Sequence, residues 1–486
     1  MSYDIVIRGG MVATAGETFA ADVAIAGETV VAIGRDLPKG AREIDAKGLI
    51  VMPGGVDGHA HIEQMSGMGL MGADNFESGT TSAAFGGTTT VVCFAAQHQG
   101  KSLTKIVEDY HALARKGAVI DYAMHMILAD PRPEVLAEEL PPLVKAGHAS
   151  IKVFMTYEKT KIDDEQLLDV LTAARANNAF VCVHAENNGM LNWMGRRLVD
   201  RGYVAPKYHA VYHPRAAEVE AIHRLIAFAE LIDQPVIVYH VSTAEGAAAI
   251  REARGRGVKV FGETCTQYLF LTAADLDQPG IEGIKWICSP PLRTKEDQEA
   301  LWAALERGDL QFISSDHAPY RPDASGKLKV GPKPTFKQVA NGMPGLELRL
   351  PLLFDAMVSK GRYDLQKFVA WTATEPAKMY GLHPKKGTIA VGSDADIAIW
   401  DPKKSVTIRD EDVHDRTGYT PYVGRRIKGW PVTVLRRGEM VIEKGRALAK
   451  PGSGKFLPRA AGAAAVPTGR LSPEFDIKRN FGAKLY

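Results

Sequence analysis

Two histidines two residues apart, His59 and His61, end an apolar run that begins at Gly55. Side chains alternate across a strand, so both imidazoles project to one side and can reach a single ion. Three more residues of metal-ligand type close similar runs. His184 ends Phe180-Val181-Cys182-Val183-His184, His240 falls near the end of Val236-Ile237-Val238-Tyr239-His240-Val241, and Asp316 ends Leu310-Gln311-Phe312-Ile313-Ser314-Ser315-Asp316. Imidazole with carboxylate suits a borderline divalent ion, zinc first, with manganese or cobalt as alternatives. A carboxylate that holds such an ion and also touches its bound water can act as the general base of a hydrolysis.

Lys152 is the unexpected member of the set. Among Ser150, Ile151, Val153, Phe154 and Met155, an ammonium meets a large desolvation cost, which lowers its pKa and leaves a nucleophilic amine. Such an amine takes up carbon dioxide as a carbamate, whose two oxygens could serve two ions. Singly, each residue has an ordinary explanation: a hydrogen-bonded core histidine, an Asx-type helix cap at Asp316, a lysine snorkelling at a strand edge. Four histidines at strand ends, from only 14 in the chain, are hard to explain as packing.

The positioning elements follow from the rhythm of the sequence. From residue 55, strand-like runs alternate with amphipathic stretches such as Asp164 to Asn177, Ala216 to Leu231 and Lys295 to Glu306. The runs begin near residues 55, 89, 122, 150, 180, 236, 258 and 310, and are short and nearly continuously apolar, as strands buried on both faces must be. Eight such units predict an α/β fold, a (β/α)8 TIM-like barrel over 55–385, whose chemistry belongs at the C-terminal ends of the strands. An open doubly wound sheet is the alternative, but no Gly-rich dinucleotide fingerprint follows any run. Residues 1–54 and 386–450 share hairpin texture, with β-branched residues between Gly turns, and are expected to form one small β-sandwich domain. The segment 451–486, rich in Gly, Ala and Pro, reads either as a disordered tail or as an oligomerisation arm on a neighbouring subunit.

Bulk composition narrows the class of protein. Across 486 residues, 59 basic side chains nearly balance 57 acidic ones, so no basic stripe for nucleic acid is expected. No apolar run approaches the length of a membrane span, and the N-terminus lacks a signal-peptide pattern. Cys93, Cys182, Cys265 and Cys288 lie far apart without a CxxC pair, which favours reduced thiols. Together these predict a soluble cytoplasmic enzyme with no nucleic-acid or membrane partner.

Several motifs carry a resemblance. Gly-Gly-Val-Asp-Gly-His-Ala-His at 54–61, Ile-Lys-Val-Phe-Met-Thr-Tyr at 151–157, Val-His-Ala-Glu at 183–186, His240-Val-Ser and Ser-Asp-His-Ala at 315–318 resemble the amidohydrolase superfamily. Within it, Phe-Gly-Gly-Thr-Thr-Thr at 85–90, Glu-Thr-Cys-Thr-Gln-Tyr-Leu at 263–269 and Ser-Pro-Pro-Leu-Arg at 289–293 are similar to the dihydropyrimidinase and hydantoinase family. The resemblance implies that His59 and His61 bind one divalent ion and His184 and His240 a second. It also implies that carboxylated Lys152 bridges them, and that Asp316 binds the first ion and acts as base. Tyr157 would hydrogen-bond the developing oxyanion, and the backbone groups of Ser289 and Asn341 would grip a cyclic amide. The implied reaction is attack of a hydroxide, held between the ions, on a dihydropyrimidine or 5-substituted hydantoin, giving an N-carbamoyl amino acid. A homotetramer or homodimer is implied as well.

Rivals and departures limit the substrate. Allantoinase shares most ligands, but Tyr157 favours the pyrimidinase branch. A dihydroorotase would need an arginine where Ile62-Glu63-Gln64 stands. Non-catalytic scaffold relatives have lost metal ligands that are all filled here. The family's Asp-Pro before the HxH pair is Asp57-Gly58, read as a local turn change. Gln64 and Ser66 replace apolar residues of the gate over 63–71, and Lys161 stands where hydantoinases often carry an aromatic residue. These changes favour a small or polar ring substituent over a bulky aromatic one.

Overall fold

The structure, a computed structural model, describes residues 2–485. The N-terminal segment forms five strands: β1 (Tyr3–Ala13), β2 (Thr18–Ala26), β3 (Thr29–Gly34), β4 (Gly40–Asp45) and β5 (Ile50–Pro53). Eight more follow: β6 (Gly55–Ala60), β7 (Thr88–Ala96), β8 (Asp121–Ile127), β9 (Ser150–Phe154), β10 (Phe180–His184), β11 (Val236–Val238), β12 (Val260–Cys265) and β13 (Phe312–Ser314). They pair in sequence order from β6 to β13, always parallel. A parallel bridge between Ala60 and His317, with the His61 amide donating to the His317 carbonyl at 2.7 Å, closes the sheet into a barrel. The expected eight-stranded α/β barrel is present. Its strands are buried almost throughout because helices cover the outside and side chains fill the inside.

The helices begin where the sequence supplies caps. Asp163 accepts from the Gln166 amide while the Gln166 side chain accepts from the Asp163 amide, a reciprocal capping box that starts the helix Asp164–Ala176. Thr294 and Asp297 do the same for Lys295–Arg307, and Gly308 ends it at φ 78°.

After the barrel come β14 (Ile397–Thr407), β15 (Arg426–Arg436), β16 (Glu439–Glu443) and β17 (Arg446–Ala447). β14 pairs antiparallel with β5, joining the two ends of the chain in one mixed nine-stranded sheet. Val12, Val23, Val30, Val51, Ile397 and Leu435 help to make that sheet's own apolar core, separate from the barrel's.

The segment after residue 451 packs under the N-terminal ends of its own barrel strands. The Leu457 amide donates to the Tyr122 carbonyl at 2.8 Å, and the Arg459 amide to Gly147 at 3.2 Å. The buried Arg459 guanidinium bonds the Met124 carbonyl and the Ser150 hydroxyl. Ser150 contacts His125, which contacts the Tyr239 hydroxyl at 3.1 Å, so a polar chain climbs the barrel interior. Among the described residues, no helix is long and apolar enough to cross a membrane.

Candidate active site

At the opposite end, the strand termini deliver the predicted side chains to one cavity of about 560 Å³. His59 and His61 project from the end of β6. Their Nε2 atoms lie 3.1 Å and 3.3 Å from Asp316 Oδ1. The ligand atoms of His59, His61 and Asp316 all fall within 4.8 Å of one another, a candidate metal group. His184 ends β10 with its ring 4.4 Å from that of His240, which in turn lies 5.4 Å from His59. The four imidazoles are therefore neighbours around one centre.

His240 and Asp316 sit two residues beyond their strands, not inside them as the apolar runs suggested. Both, with Tyr157, adopt left-handed backbone, at φ 44°, 46° and 73°. Non-glycine residues rarely do so, at a cost of about 1–3 kcal/mol each, and such outliers concentrate at functional sites. The chain breaks from the strand there, and all three side chains line the cavity.

Lys152 lies inside β9 with no exposed surface, its Nζ 4.1 Å from the centroid of the Tyr239 ring. Burial pulls its ammonium down to about 8. Neither Lys152 Nζ nor His240 Nδ1 has a hydrogen-bond partner among the described residues. Buried polar atoms left unpaired beside carboxylate and imidazole ligands fit a centre that holds cations.

Carboxylates behind the histidines complete the electrostatics. His59 Nδ1 contacts the buried Glu263. Burial lowers the His59 pKa, but Glu263 and Asp316 outweigh it and hold the ring at about 8. Asp316 is penalised by burial, yet His59, His61 and His240 keep it ionised well below the usual range. His184 Nε2 bonds Glu186 at 2.7 Å, and the other Glu186 oxygen takes His213 Nδ1 at 2.7 Å. That contact leaves Nδ1 of His184 as the ring nitrogen available to an ion. Neither Glu186, Glu263 nor His213 was singled out from the sequence. The glutamates do lie within the quoted motifs Val-His-Ala-Glu and Glu-Thr-Cys-Thr, and that was the usable signal. Glu186→Gln is expected to weaken metal binding by about 10–100-fold. Competition against a chelator would measure this, and wild-type affinity would deny Glu186 an orienting role.

Tyr157, Ser289 and Asn341 also converge. All three line the cavity, and burial pushes the Tyr157 hydroxyl pKa far up, so it stays a proton donor, with Ser289 and Asn341 near enough to oppose part of that shift. Gly58 lies within β6 at a register irregularity rather than in a turn. A Cβ there would come 2.5 Å from the Tyr380 ring, which explains the glycine. The Gln64 side chain accepts from His61 Nδ1 at 2.7 Å, so it holds a histidine as well as lining the gate. Lys161 does not line the cavity; its amine lies 3.9 Å from Glu158.

The chain matches the profile described as the amidohydrolase family over residues 50–441. It is 41% identical to the D-hydantoinase of Ralstonia pickettii across 94% of this chain and 99% of that one. The chain belongs to the amidohydrolase family, in its dihydropyrimidinase and D-hydantoinase branch. Among solved structures, this amidohydrolase is similar to the dihydropyrimidinase from Brevibacillus agri NCHU1002, with a TM-score of 0.91, 43% identity and coverage of 94% and 99%. It is also similar to the L-hydantoinase (dihydropyrimidinase) from Arthrobacter aurescens, at TM-score 0.84, 28% identity and coverage of 94% and 100%. Relatives whose names carry opposite hands thus share this fold.

Proposed function

We propose that this amidohydrolase opens a cyclic amide, a dihydropyrimidine or a 5-substituted hydantoin, to the N-carbamoyl amino acid. The observation that carries this reading is one cavity lined by two sets of groups. His59, His61 and Asp316 are a candidate metal group, and Tyr157, Ser289 and Asn341 bring hydrogen-bonding groups to the same cavity. His59 and His61 would hold one divalent ion, His184 and His240 a second, and Lys152 as a carbamate would join the two. Zinc suits the donor set, and manganese or cobalt could replace it. Bound there, the ions would acidify water and polarise the ring carbonyl.

The side chains supply the remaining steps. Asp316, held ionised, takes the proton of the attacking water and returns it to the departing ring nitrogen. Tyr157 donates to the carbonyl oxygen as charge develops on it. Ser289 and Asn341 orient the ring so that its carbonyl faces Tyr157. By family, the enzyme would act as a homotetramer or homodimer.

For the ring substituent we favour a small or polar group. Glu158, Lys159, Asn188, Asn192 and Lys337 line the cavity alongside Met65 and Phe154. Glu158 accepts from Asn188 at 2.7 Å and from Asn192 at 2.6 Å, which fixes a polar rim. Hydrolysis of dihydrouracil, 5-substituted hydantoins, allantoin and dihydroorotate with defined metals tests the reading. Turnover is expected on the first two classes. A kcat/KM for 5-phenylhydantoin far above that for dihydrouracil would refute the polar-substituent reading, and inertness toward all of them would refute the activity.

A further inference from the structure

Lys327 has no exposed surface and pairs with no carboxylate among the described residues. Instead its Nζ donates to three backbone carbonyls, those of Gly342 at 2.7 Å, Ala340 at 2.9 Å and Ile287 at 3.2 Å. An ammonium has three N–H donors, so these acceptors use its full capacity. The carbonyls are not scattered. Ala340 and Gly342 flank Asn341, and Ile287 lies two residues before Ser289.

The two segments meet at one acceptor. The Gly342 amide donates to the same Ile287 carbonyl at 3.0 Å. Gly342 sits at φ 149°, and a Cβ there would lie 2.4 Å from the Ala318 carbonyl oxygen. The turn is therefore closely packed on its other side. If the position served packing alone, an apolar side chain of similar volume would fill it without the desolvation penalty of a buried charge. An ammonium earns its place only through the carbonyls it fixes.

We propose that Lys327 is a positioning residue that clamps these two segments so that Ser289 and Asn341 face the cavity alongside Tyr157. Lys327 reaches no reacting group itself. The inference rests on Tyr157, Ser289 and Asn341 being the groups that grip the cyclic amide.

The test compares Lys327→Met and Lys327→Gln with the wild-type enzyme on its best cyclic amide, recording KM, kcat, metal content and thermal midpoint. The expected result for Lys327→Met is a KM raised about 10-fold or more and a lowered kcat, with metal content unchanged. Lys327→Gln retains two N–H donors and should fall between, and it carries the test if the methionine variant does not fold. A purely structural role would lower the thermal midpoint and the active fraction without moving KM, and that result would overturn the clamp. Crystal structures of the variants give a readout without substrate: Ser289 and Asn341 unmoved in the cavity wall would overturn the proposal even if activity fell. Metal-loaded wild-type enzyme inert toward every cyclic amide would instead overturn the functional reading beneath it.

Discussion

Lys152→Ala is expected to lose about 10³-fold or more in turnover and at least one bound metal ion. The lysine lies fully buried over Tyr239 without a hydrogen-bond partner among the described residues, and its charge adds to the burial that depresses both His184 and His240. As an ammonium it would repel cations from that centre; as a carbamate it would attract them and offer two oxygens. Alanine removes the bridge and also relieves a desolvated charge, so the fold should survive. Metal stoichiometry and initial rates on the same preparation check the result. Full activity with two bound ions would end the bridging role.

Asp316→Asn should lower kcat by about 10²–10⁴-fold while leaving KM within a few-fold, because a general base acts mainly in the transition state. Asparagine is close in shape and tolerates left-handed backbone, and residue 316 has φ 46°. Strain is therefore not added by the change, whereas alanine would be a poorer control. Steady-state kinetics on metal-loaded protein would decide it. A kcat close to wild type would assign the proton transfer to another group.

The barrel was legible because its strands are buried on both faces, which writes short apolar runs into the sequence, and because polar caps such as Asp163 and Thr294 mark where helices start. The candidate metal-binding side chains were legible for the same reason: imidazole or lysine inside an apolar run conflicts with its surroundings. The strands before His240 and Asp316 were read two residues too long, since a left-handed turn leaves no periodic signature. Glu186, Glu263 and His213 were harder still. Each matters through a partner distant in sequence, and an isolated carboxylate near a strand looks like any polar loop residue. Gln64 shows the converse, for a residue read as gate lining also bonds a histidine. The path of the segment after 451 was beyond periodic reasoning, because it is held by scattered contacts, among them backbone bonds, buried Arg459, Phe456 against Tyr122 and His148, and Thr468 on Asp233, rather than by an amphipathic face.

The pairing of β5 with β14 has a consequence during synthesis. Strand β5 ends at Pro53 and its partner begins at Ile397, about 340 residues later, so at roughly 5–20 residues per second β5 waits on the order of 20–70 s. For that interval the nascent chain carries an unpaired strand edge, the kind of surface that recruits other chains. Ribosome-bound fragments ending before residue 397 would therefore be the species in greatest need of chaperones, whereas the full chain protects the same edge itself.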